Sequence, residues 1–116
     1  MIFVDYGKIN LNIGKKRIIV NPGECIFIRG GKVHSFEGVD EAPFDYLNVI
    51  FKGDLPSYMT GRIIPVNRKC FDILNKMKDE SVQRRLFWQE IIASCMNELI
   101  ANMARQVKTP LQIKIQ

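Results

Sequence analysis

The sequence holds one histidine, His34, and three cysteines, Cys25, Cys70 and Cys95, so the residues able to bind a metal or to attack a substrate are few. A catalytic metal centre draws several imidazole, thiolate or carboxylate ligands onto one ion. One imidazole cannot build it, and zinc, iron and manganese catalysis is disfavoured on that count. No two cysteines form a C-x-x-C pair, which excludes a zinc ribbon or a thioredoxin-like site on spacing; free thiols are the simplest reading. His34 has no G-x-S-x-G elbow or Cys-His context around it, and no Walker-type or G-x-G-x-x-G loop offers a cradle for phosphates. Gly30-Gly31 reads as a tight turn. What remains is a set of side chains suited to holding a molecule. In the segment Phe44–Phe51, strict alternation puts Phe44, Tyr46, Asn48 and Ile50 on one face and Asp45, Leu47, Val49 and Phe51 on the other.

These residues need elements to carry them. Ile9–Ile13 alternates apolar and polar side chains, Gly14-Lys15-Lys16 turns, and Arg17–Val20 returns as a β-branched strand, which together predict a β-hairpin. Asn21-Pro22-Gly23 is a type II turn candidate. Strands are expected at Cys25–Arg29, Val33–Phe36, Phe44–Phe51 and Arg62–Val66, separated by Gly30-Gly31-Lys32, an acidic loop over 37–43 and Lys52-Gly53-Asp54. That spacing indicates a β-sandwich or small barrel. From Asn67, a plausible N-cap, the period becomes helical: Cys70, Ile73, Leu74 and Met77 mark a short helix. A long amphipathic helix is predicted from about Ser81 to Gln106, and Thr109-Pro110 is expected to end it.

With 47% hydrophobic and 25% charged residues, 116 residues suit one globular domain. No apolar run approaches the ~18–20 residues that span a bilayer, and the start lacks a secretory pattern, so a cytoplasmic location is the default. The net charge of +5 falls mostly in residues 67–116. There the basic residues are scattered rather than gathered in one patch with stacking aromatic residues, so they read as a solvated helix face rather than a nucleic-acid surface.

Taken in order, these pieces resemble the cupin-like sensor domain of AraC-type bacterial transcription regulators. Pro22-Gly23-Glu24 before an apolar strand is similar to a turn of that family. Gly30-Gly31-Lys32-Val33-His34-Ser35-Phe36 looks like its P-G-x-x-H-x-aromatic segment, and Pro43–Phe51 like its aromatic-rich strand ending in Phe. The short helix, loop and long helix ending in Met103-Ala104-Arg105 resemble its C-terminal dimerisation helices. The resemblance implies a mainly β fold with C-terminal helices (α+β). Residues 1–66 would be a cupin-like antiparallel β-barrel or jelly roll, N-terminally short, holding an effector pocket. Residues 67–106 would be a helical dimerisation segment, and 107–116 the start of a linker. The chain reads as trimmed at both ends. Only Met1–Tyr6 stands where the family has an arm and further strands, and the helix-turn-helix DNA-binding domain is absent.

The implied function is small-molecule effector sensing and homodimerisation, without enzymatic activity, cofactor or membrane contact, and with DNA bound only through the absent domain. The segment reads His34-Ser35-Phe36 where metal-binding cupins usually carry H-x-H. The resemblance points to His34, Phe36, Tyr46 and Asn48 as ligand contacts, with Ile9 and Leu11 as apolar wall. Structural roles compete: His34 could be a hydrogen-bonded strand residue, and Phe36 simple core. An asparagine inside a strand is otherwise poorly explained. On the long helix, Leu86, Phe87 and the rows Ile91/Cys95/Leu99 and Ile92/Met96/Met103 make a stripe wide enough for a barrel and a twin helix. A dimer interface of Trp88, Ile92, Cys95, Met96, Leu99 and Met103 is therefore expected. Two alternatives stay open. One is a metal-free cupin enzyme of the sugar isomerase or epimerase kind using His34, Tyr46 and Arg29. The other is a stand-alone binding or interaction module.

Overall fold

Three apolar residues in succession, Ile2-Phe3-Val4, open the first strand, and all three are buried. The computed structural model describes residues 1–32, 34–53 and 55–112, with side chains as far as residue 107. Strand β1 (Ile2–Tyr6) lies between β6 (Asp45–Asn48) and β4 (Glu24–Ile26), and β7 (Ile63–Pro65) completes a sheet of order β6-β1-β4-β7. A strand flanked on both sides and buried on both faces shows a continuous apolar run instead of alternation. The segment expected to be a remnant arm is thus a central strand.

The second sheet has the order β3-β2-β5 and contains β2 (Ile9–Ile13), β3 (Lys16–Val20) and β5 (His34–Gly38). The predicted hairpin forms, pairing Ile9 with Val20 and Ile13 with Lys16, so its second strand begins one residue earlier than expected. The Pro22-Gly23 turn closes with the Glu24 amide donating to the Asn21 carbonyl at 3.1 Å. The five pairings between these strands are antiparallel, and one isolated parallel bridge joins Phe27 to Thr60. Ile2, Val4 and Ile26 from the first sheet meet Ile9, Leu11 and Val20 from the second in one buried core. Burying such side chains stabilises a sandwich by about 1.5–3 kcal/mol each before entropy is counted.

The expected closed barrel is not formed among the described residues. Closure needs hydrogen bonding all the way round, and β5 and β6, the edges of the two sheets, are not neighbours in any ladder. Rings fill that side instead: Phe36 lies 4.9 Å from Tyr46 and 6.2 Å from Phe44, centroid to centroid. Two glycines bring β6 there. A Cβ on Gly38 would strike the Ala42 carbonyl and crowd the Phe44 ring. A Cβ on Gly7, which also has φ +74, would come within 2.5 Å of the Pro43 oxygen. Glycine is what lets segment 42–44 lie this close.

The chain divides into two compact units, Met1–Pro65 and Val66–Gln116. In the second, Asn67 caps α1 (Arg68–Gln83), its side-chain oxygen accepting from the Cys70 amide at 2.9 Å. Cys70, Ile73, Leu74 and Met77 form the buried stripe, as predicted. The chain then reverses over 84–87 and α2 (Trp88–Gln112) follows, packed on α1. The break lies later than the expected start at Ser81. Arg84 adopts the left-handed conformation that ends helices, and its guanidinium stands 5.0 Å over the Trp88 ring. Arg85 pairs with Asp79 at 2.8 Å and with the buried Glu80 at 3.0 Å. Helical backbone continues through Pro110 to Gln112, past the Gln106 at which the pattern predicted an end.

Candidate functional site

Strand register decides which side chains face the interior of the first unit. Opposite Ile2 and Val4, whose side chains enter the core, stand Asn48 and Tyr46. Opposite Ile13 and Leu11 stand His34 and Phe36. Residues paired across a ladder share a face, so all four sequence-selected polar and aromatic residues lie on the inward faces of the two sheets. They divide there into two groups.

Phe36 and Tyr46 belong to the ring cluster with Phe44, in which the Phe44 and Tyr46 centroids are 5.6 Å apart. Tyr46 keeps 38% of its surface exposed. His34 and Asn48 lie at the end of the sandwich where β1 and β5 begin and β4 and β6 finish, and both line a cavity of about 540 Å³. That volume is in the range of small-molecule sites. Ile9 and Leu11 are fully buried in the core and are not among the residues lining the cavity.

The cavity walls come from the strand ends and two loops. Ile2, Ile28, Val49 and Leu55 supply apolar surface, while Arg29, Lys32, Asn48 and Thr60 supply polar groups. Phe51, also in the lining, rests edge-on against the buried Phe27 at 6.2 Å. The Val49 amide donates to the Met1 carbonyl at 2.9 Å, which fixes the chain as it leaves β6. The Met1 amino group donates to the Val49 carbonyl, and burial pushes its pKa below the usual value, with Cys25 opposing. His34 Nδ1–H donates to the Lys32 carbonyl at 3.2 Å, leaving Nε2 as the atom able to meet a ligand. The Thr60 hydroxyl is committed to the Ser57 carbonyl at 3.1 Å. The Asn48 carboxamide makes no hydrogen bond among the described residues.

The resemblance pointed to His34, and alternation with the resemblance to Asn48; both line the cavity, and most of the rest of its lining was not expected from the sequence. Ile50 was on the Asn48 face and could have been taken with it. Val49 and Phe51 could not, because β6 ends at Asn48 and the period of two ends with it. Gly30-Gly31 is the turn expected, and it also lines the cavity. Among the described residues no three His, Cys, Asp or Glu side chains are grouped to hold a metal. The three cysteines are free and buried. Burial pushes the Cys70 and Cys95 thiols up in pKa, which keeps them protonated and unreactive.

The expected dimer residues also divide. Cys95, Met96, Leu99 and Met103 are buried within the chain, whereas Trp88 and Ile92 remain partly exposed. Beside Trp88, Leu86 and Phe87 are 81% and 63% exposed. No described helix is long and apolar enough to cross a membrane.

Two facing antiparallel sheets with a cavity at one end, followed by a helical pair, define a β-rich ligand-binding domain with α+β composition. The chain belongs to the AraC-like ligand binding domain family, whose profile matches residues 2–111. That family comprises ligand-binding regulatory domains rather than enzymes. No curated protein and no solved structure gave a match.

Proposed function

We propose that this chain senses a small-molecule effector for an AraC-type transcription regulator, binding it in the cavity at the end of the sandwich. The observation that carries the reading is the cavity itself, about 540 Å³, with His34 and Asn48 on its walls and apolar surface behind them. Phe36 and Tyr46 act as the aromatic wall beside it, and Ile9 and Leu11 as the core that keeps the strands in register. Residues 1–66 form the sensing part, 67–106 the dimerisation part, and 107–116 begin the linker toward a helix-turn-helix domain; residues 113–116 of that linker lie outside the described residues. The regulator works in the cytoplasm, as a homodimer, and reaches DNA through that other domain. Support for the dimer comes from the apolar surface that Leu86, Phe87, Trp88 and Ile92 leave uncovered.

The cupin-enzyme alternative receives less support. Of its three candidate residues, His34 and Arg29 line the cavity, while Tyr46 stacks with Phe36 and Phe44. The test is a small-molecule screen by thermal shift, with each binder mapped by amide chemical shifts. Binders should move the Gly30 and Gly31 amides and lose affinity in Asn48→Leu. Binders that leave both amides unmoved would place the sensing site elsewhere.

A further inference from the structure

The charge around the cavity is one-sided. Nearly all of its lining comes from residues 28–34 and 48–60. Those two stretches carry Arg29, Lys32 and Lys52 against a single acid, Asp54, which lies outside the described residues. Among the described residues, neither Arg29 nor Lys32 is ion-paired, although other basic residues such as Arg17, Arg68 and Arg85 are. Between Arg29 and Lys32, the Gly30 and Gly31 amides make no backbone hydrogen bond among the described residues. Space beside both glycines is open. Uncommitted N–H donors flanked by cations without an ion-pair partner are what an anion requires. Behind them the wall is apolar, formed by Ile2, Ile28, Val49 and Leu55.

We propose that the effector is a small organic anion, its carboxylate held at the Arg29–Lys32 loop and its apolar body lying against Ile2, Ile28, Val49 and Leu55. This rests on the reading of the cavity as the effector site and adds the class of molecule. A neutral sugar leaves the cationic rim unused, and a cation meets repulsion there.

Three probes with one apolar body test it: 1-naphthylacetate, 1-naphthylacetamide and 1-naphthylmethylamine. Each is titrated into the full chain while the Gly30 and Gly31 amide resonances are followed. The acetate is expected to bind about tenfold or more tighter than the amide, with the amine weakest. Its advantage should shrink as salt is raised, while amide binding holds. In Arg29→Gln and Lys32→Gln the acetate should lose most of its advantage over the amide, and an unchanged melting temperature shows that the variants are folded. An amide that binds as well as the acetate, or an amine that binds better, overturns the anion assignment and leaves the cavity reading standing. If no probe moves either glycine resonance, the cavity reading falls and takes the anion assignment with it.

Discussion

Gly38 sets how closely segment 42–44 can approach β5. It sits opposite Ile9 at the end of β5, and the Ala42 carbonyl and Phe44 ring press into the space where a side chain would be. Gly38→Ala must push segment 42–44 away, and with it the start of β6. We expect a loss of about 2–4 kcal/mol in urea unfolding, typical of overpacking combined with a shifted backbone. Gly14→Ala is the control: its φ of +57 is strained for alanine but nothing lies within 4 Å, so it should cost about 1 kcal/mol. Equal losses in the two variants would mean that the contact with Ala42 does not matter. Tyr46→Ala separates the aromatic wall from the cavity in the same way. It removes ring contacts with Phe36 and Phe44 worth about 0.5–1.5 kcal/mol each. The expected result is a lower melting temperature with a smaller effect on ligand affinity than Asn48→Leu; a larger effect would show that Tyr46 touches the ligand directly. The face on which Asn48 lies was legible in the sequence because its strand alternates, whereas His34 came from the family resemblance. The close approach at Gly38 was not legible, because it depends on a loop folding back rather than on any local period.

At the scale of elements, signals written into the backbone survived best. The β2–β3 hairpin follows from alternation around Gly14-Lys15, and α1 starts where Asn67 can cap it. Asn67→Ala should therefore cost about 1 kcal/mol in thermal or urea unfolding, and Asn67→Asp should restore most of it. A neutral Asn67→Ala would mean that the Cys70 amide finds another acceptor. The elements misread are those set by tertiary surroundings. Ile2-Phe3-Val4 gives no alternation because burial on both faces removes the polar positions. The helix break was misplaced because Arg84 and Phe87, with φ of 50 and 63, take the left-handed region without a glycine to announce it. Arg84 is tied to Trp88 and to the Ser81 carbonyl, so the turn is held by side chains rather than by residue type.

For the whole molecule, the open question is what covers the apolar surface at the start of α2. The helical stripe was long enough in sequence to suggest a seam from Trp88 to Met103. Most of that stripe is already used: Cys95 and Met96 are buried within the chain, and Leu99 and Met103 fully so. A charge at Leu99 would thus unfold the helical pair, at a cost of about 4 kcal/mol or more, and would say nothing about dimers. Leu86 and Phe87 are the better probes, because they are largely exposed and their replacement leaves the monomer's packing intact. Leu86→Glu/Phe87→Glu places two like charges on each copy where the proposed seam begins. If two copies meet through this surface, light scattering should show the mass falling from dimer to monomer while the melting temperature of the dilute protein changes little. Ile92→Glu, one turn further along α2, should weaken the dimer in the same direction, since Ile92 is only partly covered. A dimer mass unchanged in both variants would move the contact away from the start of α2. A monomer mass for the unaltered chain at all concentrations would leave this surface for a different partner.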